Sequence, residues 1–173
     1  MSDVMKRLFE TRTQWLSEQV NVEYPTKESL IGRDLYLEKT NVSCFEPITV
    51  MEGQDEISDV ILPVTFHRMT ILFALLQSEQ FHDDAQSADV IEFLTQIIYG
   101  EPCQLFLAFE HGEAVAAALV TTQENRSLIS DVAFKSNSMF SDESAFIAQL
   151  AHLVQQSDSS VTEFCYAIHH TCH

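Results

Sequence analysis

The sequence predicts an α/β (α+β) domain in which a mixed, largely antiparallel β-sheet is flanked by helices. Residues 57–168 alternate between short apolar runs and stretches with apolar residues at helical spacing, in the order strand, helix, helix, three strands, helix, strand. With 173 residues, 46% of them hydrophobic, the chain can also bury one sizeable core. We therefore expect an N-terminal extension at residues 1–56 that packs on a core domain at residues 57–173.

The N-terminal extension opens with a predicted helix. Apolar residues from Met5 to Leu16 recur every three or four positions, which predicts an amphipathic helix over residues 3–20. Residues 26–58 mix short apolar pieces, such as "LYL" and "ITVM", with glycine and proline. We interpret this second part of the extension as loops and short strands.

The core domain has clearer element boundaries. The run "SDVILP" predicts a strand, after which Thr65 can cap one helix and Asp84 or Ser87 a second. The stretch "CQLFLAFEHGEAVAAALVTTQENRSLISDVAF" predicts three antiparallel strands, the first two joined by a tight turn at residues 110–113. A helix capped by Ser141 and a strand at "VTEFCYAI" complete the predicted order.

The charge of the chain argues against several classes of partner. Nine Lys and Arg stand against 26 Asp and Glu, a formal net charge of −17, so the average surface repels phosphate backbones and anionic lipid headgroups. We expect neither a nucleic-acid nor a membrane partner. The N-terminal residues contain no apolar core of signal-peptide length, and no run of about 18 apolar residues occurs, which predicts a cytoplasmic protein.

The stretch "CYAIHHTCH" concentrates side chains that suit zinc or nickel, namely Cys165, His169, His170, Cys172 and His173. A structural zinc site usually has paired ligands at fixed spacing in two places of a sequence, whereas these five stand in one place. Cys165 also falls within an apolar strand pattern, which is typical of a core residue. We therefore predict no metal site.

The order and lengths of the predicted elements over about residues 57–168 resemble the GNAT fold, the family of acyl-coenzyme A N-acyltransferases. The stretch "LFLAFEHGEAVAAALV" is similar to the second and third strands of the family, and "SLISDVAF" is similar to the fourth, whose end splays to admit the pantetheine arm of the cofactor. The resemblance implies acetyl-coenzyme A as the cofactor. It implies that the cofactor is bound by Val132, Phe134, Lys135, Asn137 and Ser141.

The predicted loop after the fourth strand departs from the family pattern. Spaced glycines and a basic or Gln residue let backbone amides approach the pyrophosphate in the family, but "KSNSMF" has no glycine and Lys135 is its one cation. Asp142 and Glu143, in the first helical turn, would repel a pyrophosphate. Two functions stay open: a divergent acyl-coenzyme A-dependent N-acyltransferase of unknown acceptor, and a non-catalytic acyltransferase-like domain that binds a protein or a small ligand.

Acyl transfer to an amine needs a base and an acid, and the candidates are Asp131, Glu163 and Tyr166. Strict alternation along "SLISDVAF" places Asp131 opposite the more apolar face of the strand. Without a catalytic role, Asp131 is therefore expected to face solvent or to pair with Arg126.

Many members of the family continue the sheet beyond the strand equivalent to "VTEFCYAI" with another helix and strand. The sequence leaves two ways to complete the sheet next to that strand. Residues 1–56 can supply the missing neighbour from within the chain, or a second subunit of a homodimer can supply it.

Overall fold

The computed structural model describes residues 2–50 and 60–169. This part of the chain contains five helices and six strands. The helices are α1 (Ser2–Glu18), α2 (Lys27–Lys39), α3 (His67–Ser78), α4 (Asp84–Leu94) and α5 (Glu143–Ser157), and the strands are β1 (Cys44–Ile48), β2 (Ile61–Pro63), β3 (Cys103–Glu110), β4 (Glu113–Gln123), β5 (Arg126–Phe134) and β6 (Glu163–Ile168).

The six strands form one mixed sheet in the order β1-β6-β5-β4-β3-β2. Neighbouring strands run antiparallel, except that β5 and β6 are parallel and are connected through α5. The turn between β3 and β4 lies at His111 and Gly112, whose φ angles of 51° and 80° are those of a tight hairpin turn. The predicted fold class and the predicted element order from β2 onward are confirmed.

Helices cover both faces of the sheet. One core contains side chains of α1, α2, α3 and α4 together with Leu107 and Leu119 of the sheet. The other core contains α5 side chains such as Phe146 and Leu150 packed on Phe106. Among the described residues, none of the helices has both the length and the apolar character needed to cross a membrane.

The N-terminal extension supplies the strand next to β6. β1 pairs with β6 in antiparallel register from Cys44↔Ile168 to Ile48↔Phe164. The extension therefore completes this side of the sheet from within the chain, which is the first of the two ways left open by the sequence.

The interpretation of residues 27–39 as loops and short strands is wrong, because they form α2. The Thr26 side chain caps this helix by accepting a hydrogen bond from the Ser29 amide at 3.1 Å. Gly32 is a contact point within α2: a Cβ atom there would lie 1.9 Å from the backbone oxygen of Asp89 on α4. The glycine that suggested a loop instead permits two helices to pack closely.

Three predicted helix caps are displaced to neighbouring residues. The N-cap of α3 is Phe66 rather than Thr65, and no side chain caps that helix. Asp83 caps α4 through the Gln86 amide at 2.9 Å, in place of the predicted Asp84 or Ser87. Asp142 rather than Ser141 caps α5, also at 2.9 Å.

Candidate functional site

The strands β5 and β6 pair along only part of their length. Their ladder runs from Arg126↔Glu163 to Ile129↔Tyr166, whereas β5 continues to Phe134 and β6 to Ile168. The two strands therefore stop pairing with each other toward their C-terminal ends, and the space between these unpaired ends is called the cleft below. This is the splayed strand end that the resemblance implies.

A β-bulge in β5 lies at the start of this cleft. Its register with β4 passes from Leu119↔Ser130 to Ala117↔Ala133, so Asp131 and Val132 together oppose one residue of β4. Asp131 has a φ of 55°, in the left-handed region that residues other than glycine seldom adopt. The bulge therefore bends the strand where it leaves β6.

The bulge also reverses the alternation of side chains along β5. Ile129, Val132 and Phe134 all belong to or pack on the core beneath α5. Leu128 and Ala133 belong to the cores on the opposite face. Strict alternation, which would put Ile129 and Ala133 on one face, is wrong for β5 because the extra residue shifts the period by one position.

Asp131 is buried, with 1% of its surface exposed, and it neither faces solvent nor pairs with Arg126. Its Oδ2 atom accepts hydrogen bonds from Arg12 Nε at 2.8 Å and from Ser130 Oγ at 2.6 Å. Its Oδ1 atom accepts one from the Tyr36 hydroxyl at 2.8 Å and also pairs with Arg12 Nη2. Gln77 of α3 donates to the backbone oxygen of Asp131.

The Arg12–Asp131 pair joins the N-terminal helices to the bulge. Arg12 on α1 is 1% exposed and donates to Thr40 Oγ1 at 2.6 Å, and the Thr40 hydroxyl donates to the backbone oxygen of Tyr36 at 2.7 Å. Burial alone raises the pKa of Asp131, but the Arg12 charge and the hydrogen bonds outweigh it and hold that pKa below its usual value. Burial raises the pKa of the Tyr36 phenol well above its usual value.

This environment suits a structural anchor better than a catalytic base. The Asp131 carboxylate is ionised and its oxygens already accept hydrogen bonds from three side chains. A base must instead reach the proton that it removes from a substrate. The sequence does indicate that Asp131 has a buried partner, because a carboxylate within an apolar strand requires one.

The other two candidate catalytic residues have separate partners. Glu163 is exposed at the closed end of the β5–β6 ladder and accepts a hydrogen bond from Arg126 Nε at 2.7 Å. Tyr166 forms the last pair before the strands diverge, and its hydroxyl donates to Glu46 Oε2 on β1 at 2.6 Å. This hydrogen bond, with partial burial, raises the pKa of Tyr166 to about 12. Of the three candidates, Asp131 and Tyr166 flank the cleft.

The loop after β5 uses its own side chains to occupy its backbone amides. Asn137 Oδ1 accepts hydrogen bonds from the amides of Met139 at 3.0 Å and Phe140 at 2.8 Å. Glu110 accepts from the amide of Ser138 at 3.0 Å and from its hydroxyl. In the first turn of α5, the Asp142 side chain accepts from the Ala145 amide at 2.9 Å.

The charges around this loop are mainly negative. Lys135 Nζ lies 2.7 Å from Glu79 Oε1, so the cation of the loop already has a carboxylate partner. Hydrogen bonds from Ser138 lower the pKa of Glu110, which keeps that group ionised at neutral pH. Ser141 is exposed and leaves the capping position to Asp142.

The remaining predicted cofactor contacts are apolar. Val132 and Phe134 are half-buried and pack on the core cluster of α5, as does Tyr166 across the cleft. They give the α5 side of the cleft an apolar lining. The bulge was not predicted from the sequence, whereas self-capping of the α5 N-terminus was predicted, from Ser141 in place of Asp142.

The stretch "CYAIHHTCH" falls only partly within the structure. Cys165 is buried in β6 and His169 is exposed after it, whereas residues 170–173 lie outside the described part of the chain. Within residues 2–50 and 60–169, no three His, Cys, Asp or Glu side chains come together in a way that could hold a metal ion.

The structure is similar to those of two acetyltransferases. One is a predicted acetyltransferase from Clostridium acetobutylicum, solved with acetyl-CoA, at 10% sequence identity and a TM-score of 0.43 over 62% of this chain and 80% of that one. The other is a GCN5-related N-acetyltransferase from Kribbella flavida, at 12% identity and a TM-score of 0.44 over 78% of this chain and 52% of that one. Neither a protein-family model nor a curated protein matches the sequence. The mixed, largely antiparallel sheet of this chain is the architecture that the sequence predicts.

Proposed function

We propose that the protein is a binding module built on an acyltransferase-like fold, and that it does not use acyl-coenzyme A. The observation that carries this proposal is the occupation of the amides of Ser138, Met139, Phe140 and Ala145 by side chains of the protein itself. A helix N-terminus binds a pyrophosphate through free amides that point at the anion. Here one amide of the first turn of α5 and three amides of the loop before it are already satisfied.

Binding a pyrophosphate at this loop would be costly in two ways. The two hydrogen bonds that Asn137 accepts would have to break, and each typically contributes about 0.5–1.5 kcal/mol. The carboxylates of Glu110 and Asp142 would then face a multiply charged anion at short range. Both effects oppose coenzyme A at the position where the family holds it.

The cleft between β5 and β6 remains suited to an extended, uncharged ligand. Val132 and Phe134 offer an apolar lining, and the diverging strands leave backbone groups that no longer pair with each other. A ligand with amide groups can satisfy such groups in the manner of an added strand. We therefore infer that a peptide segment or a small neutral molecule occupies this cleft.

Calorimetric titration of acetyl-CoA into the protein tests the proposal. We expect no saturable binding at millimolar cofactor. An Asn137→Gly/Glu110→Gln variant frees two amides and removes one charge, and we expect it to bind the cofactor more tightly than the wild type. Glu124→Gln, which removes an exposed charge from the turn before β5, is the matched control. Stoichiometric binding by the wild type would overturn the proposal.

Acyl-coenzyme A-dependent N-acyl transfer is the second candidate function, with an unknown acceptor. One observation favours it: Tyr166 forms the last β5–β6 pair before the strands diverge, so its hydroxyl lies at the margin of the cleft. If acetyl-CoA binds the wild type, Tyr166→Phe tests whether this hydroxyl protonates the leaving thiolate. Loss of turnover with retained cofactor binding would establish that role.

A further inference from the structure

A cavity of about 780 Å³ lies at the opposite end of α5 from the loop just described. Its walls come from the start of β3, the end of β4, the edge strand β2 and the last turns of α5. This volume falls within the range of about 300–1,000 Å³ that is typical of small-molecule sites. The cavity is distinct from the cleft between β5 and β6.

The lining of the cavity combines aromatic rings with carboxylates. Trp15, Tyr99 and Phe106 contribute aromatic surface. The two acidic residues in the lining, Glu101 and Asp158, are both exposed to solvent and thus belong to its mouth. None of the described residues that line the cavity is a Lys, Arg or His. Most of the remaining lining is aliphatic.

The mouth of the cavity continues into exposed apolar surface. Tyr99, part of the lining, is 42% exposed, and its neighbour Ile98 is 74% exposed. The Asp158 carboxylate is held in place by hydrogen bonds from the amide and hydroxyl of Ser160, at 3.0 and 2.6 Å. An apolar ligand that enters here would therefore keep its polar end beside a fixed negative charge.

Two physical effects select the charge of such a ligand. The carboxylates of Glu101 and Asp158 add a Coulomb attraction at the mouth. The net charge of −17 raises the local concentration of cations around the whole molecule. None of the lining residues within the described part of the chain offsets these effects with a positive charge.

We propose that this cavity binds a small organic cation with an apolar body, of the quaternary ammonium class. The apolar body lies against the apolar lining beside Trp15, and the positive head stays at the mouth near Glu101 and Asp158. The step is binding only, and it involves no transfer of a group. It is independent of what occupies the cleft between β5 and β6.

Trp15 makes this proposal directly measurable, because it is the one tryptophan in the 173 residues and it lines the cavity. The probes are hexyltrimethylammonium chloride, sodium hexanoate and 1-hexanol, added to the full chain while Trp15 emission is recorded. We expect a saturable change with the cation, a weaker response with the alcohol and none with the carboxylate. Added NaCl should weaken binding of the cation.

Substitutions of the two acidic residues at the mouth of the cavity form the second part of the test. Asp158→Asn and Glu101→Gln should each weaken binding of the cation by about fivefold, the factor for one Coulomb contact at water-like dielectric. Glu124→Gln, on the turn between β4 and β5, should leave the affinity unchanged. Equal binding of the three probes, a response that does not saturate, or unchanged affinity in the double variant of Asp158 and Glu101 would each overturn the proposal.

Discussion

Asp131 lies within an apolar strand, and its role follows from the energetics of a buried charge. A carboxylate is excluded from an apolar interior unless a charged partner and hydrogen bonds compensate for lost hydration. The partner is Arg12, which stands 119 positions away in the sequence. The sequence therefore indicates that Asp131 needs a partner but does not indicate which cation provides it. It also gives no sign of the positive φ that turns the residue toward α1 and α2.

We expect Asp131→Asn to destabilise the fold strongly. The change removes one partner of a buried ion pair and leaves the Arg12 charge uncompensated, for which the typical loss is about 3–5 kcal/mol. Urea unfolding followed by circular dichroism measures the free energy of unfolding. The matched control is Glu163→Gln, which removes one partner of the exposed Arg126 pair and should change the stability little. Similar effects of both changes would contradict an anchoring role.

We also expect Asp131→Asn to change the pH dependence of the free energy of unfolding. The pKa of Asp131 is lower in the folded protein than in the unfolded chain, so its contribution is complete above the unfolded value, about 3.9, and is lost as the pH falls through the folded value. The free energy of unfolding of Asp131→Asn should therefore decline less steeply at acid pH than that of the wild type. Parallel acid curves would show that another group carries this dependence.

Tyr166 gives a second prediction for a single residue. Its hydrogen bond to Glu46 raises its pKa to about 12. The difference in ultraviolet absorbance between wild type and Tyr166→Phe isolates its ionisation, and we expect a midpoint near that value. Glu46→Ala should move the midpoint down toward about 10, the value of a free tyrosine. If the midpoint of the Tyr166 titration is the same in Glu46→Ala as in the wild type, this hydrogen bond does not form in solution.

At the scale of elements, the sequence predicts best where the apolar period is clean. The hairpin of β3 and β4, helices α3 to α5 and strand β6 all have apolar residues at regular spacing, and they are present as predicted. α2 was missed because the residues that it buries include Ser29 and Gly32, which do not mark an apolar face. The predicted alternation of side chains along β5 is wrong beyond Asp131, the extra residue of the bulge. No local sequence pattern indicates a bulge at this position.

We expect Gly32→Ala to destabilise the packing of α2 on α4. The added methyl group would lie 1.9 Å from the Asp89 backbone oxygen, so the two helices must separate. Overpacking of this kind typically costs about 1–3 kcal/mol, despite the better helix propensity of alanine. Gly100→Ala is the matched control, because a Cβ atom there meets nothing within 4 Å. Thermal unfolding that ranks the two variants equally would contradict the close contact.

At the scale of the whole molecule, the candidate site combines contributions that are distant in sequence. The negative charges of Asp142 and Glu143 and the lack of glycine in the loop are visible in the sequence. The capping of the Ser138 amide is not, because Glu110 comes from the hairpin 28 positions earlier. The cleft itself was predicted through the resemblance in fold, whereas the cavity near Trp15 arises from packing of several elements and has no sequence pattern.

The net charge of −17 predicts that moderate salt stabilises the protein. Like charges on a compact surface repel one another more than on an unfolded chain, and raising the ionic strength from 0.01 to 0.15 M shortens the screening length from about 30 to about 8 Å. The buried Arg12–Asp131 pair is little affected by this screening, so the loss of favourable ion pairs is small. We expect a gain of about 1 kcal/mol, which corresponds to about 2–4 °C in Tm for a chain of this length.

Differential scanning calorimetry in NaCl and in Na₂SO₄ at equal ionic strength separates the causes of such a gain. Screening depends on ionic strength alone, and it predicts equal increases in Tm for the two salts. Exclusion of sulfate from the protein surface would instead give a larger increase in Na₂SO₄. A Tm that stays constant or falls in NaCl would mean that favourable surface pairs, such as Arg126–Glu163 and Lys135–Glu79, outweigh the repulsion among the 26 acidic residues.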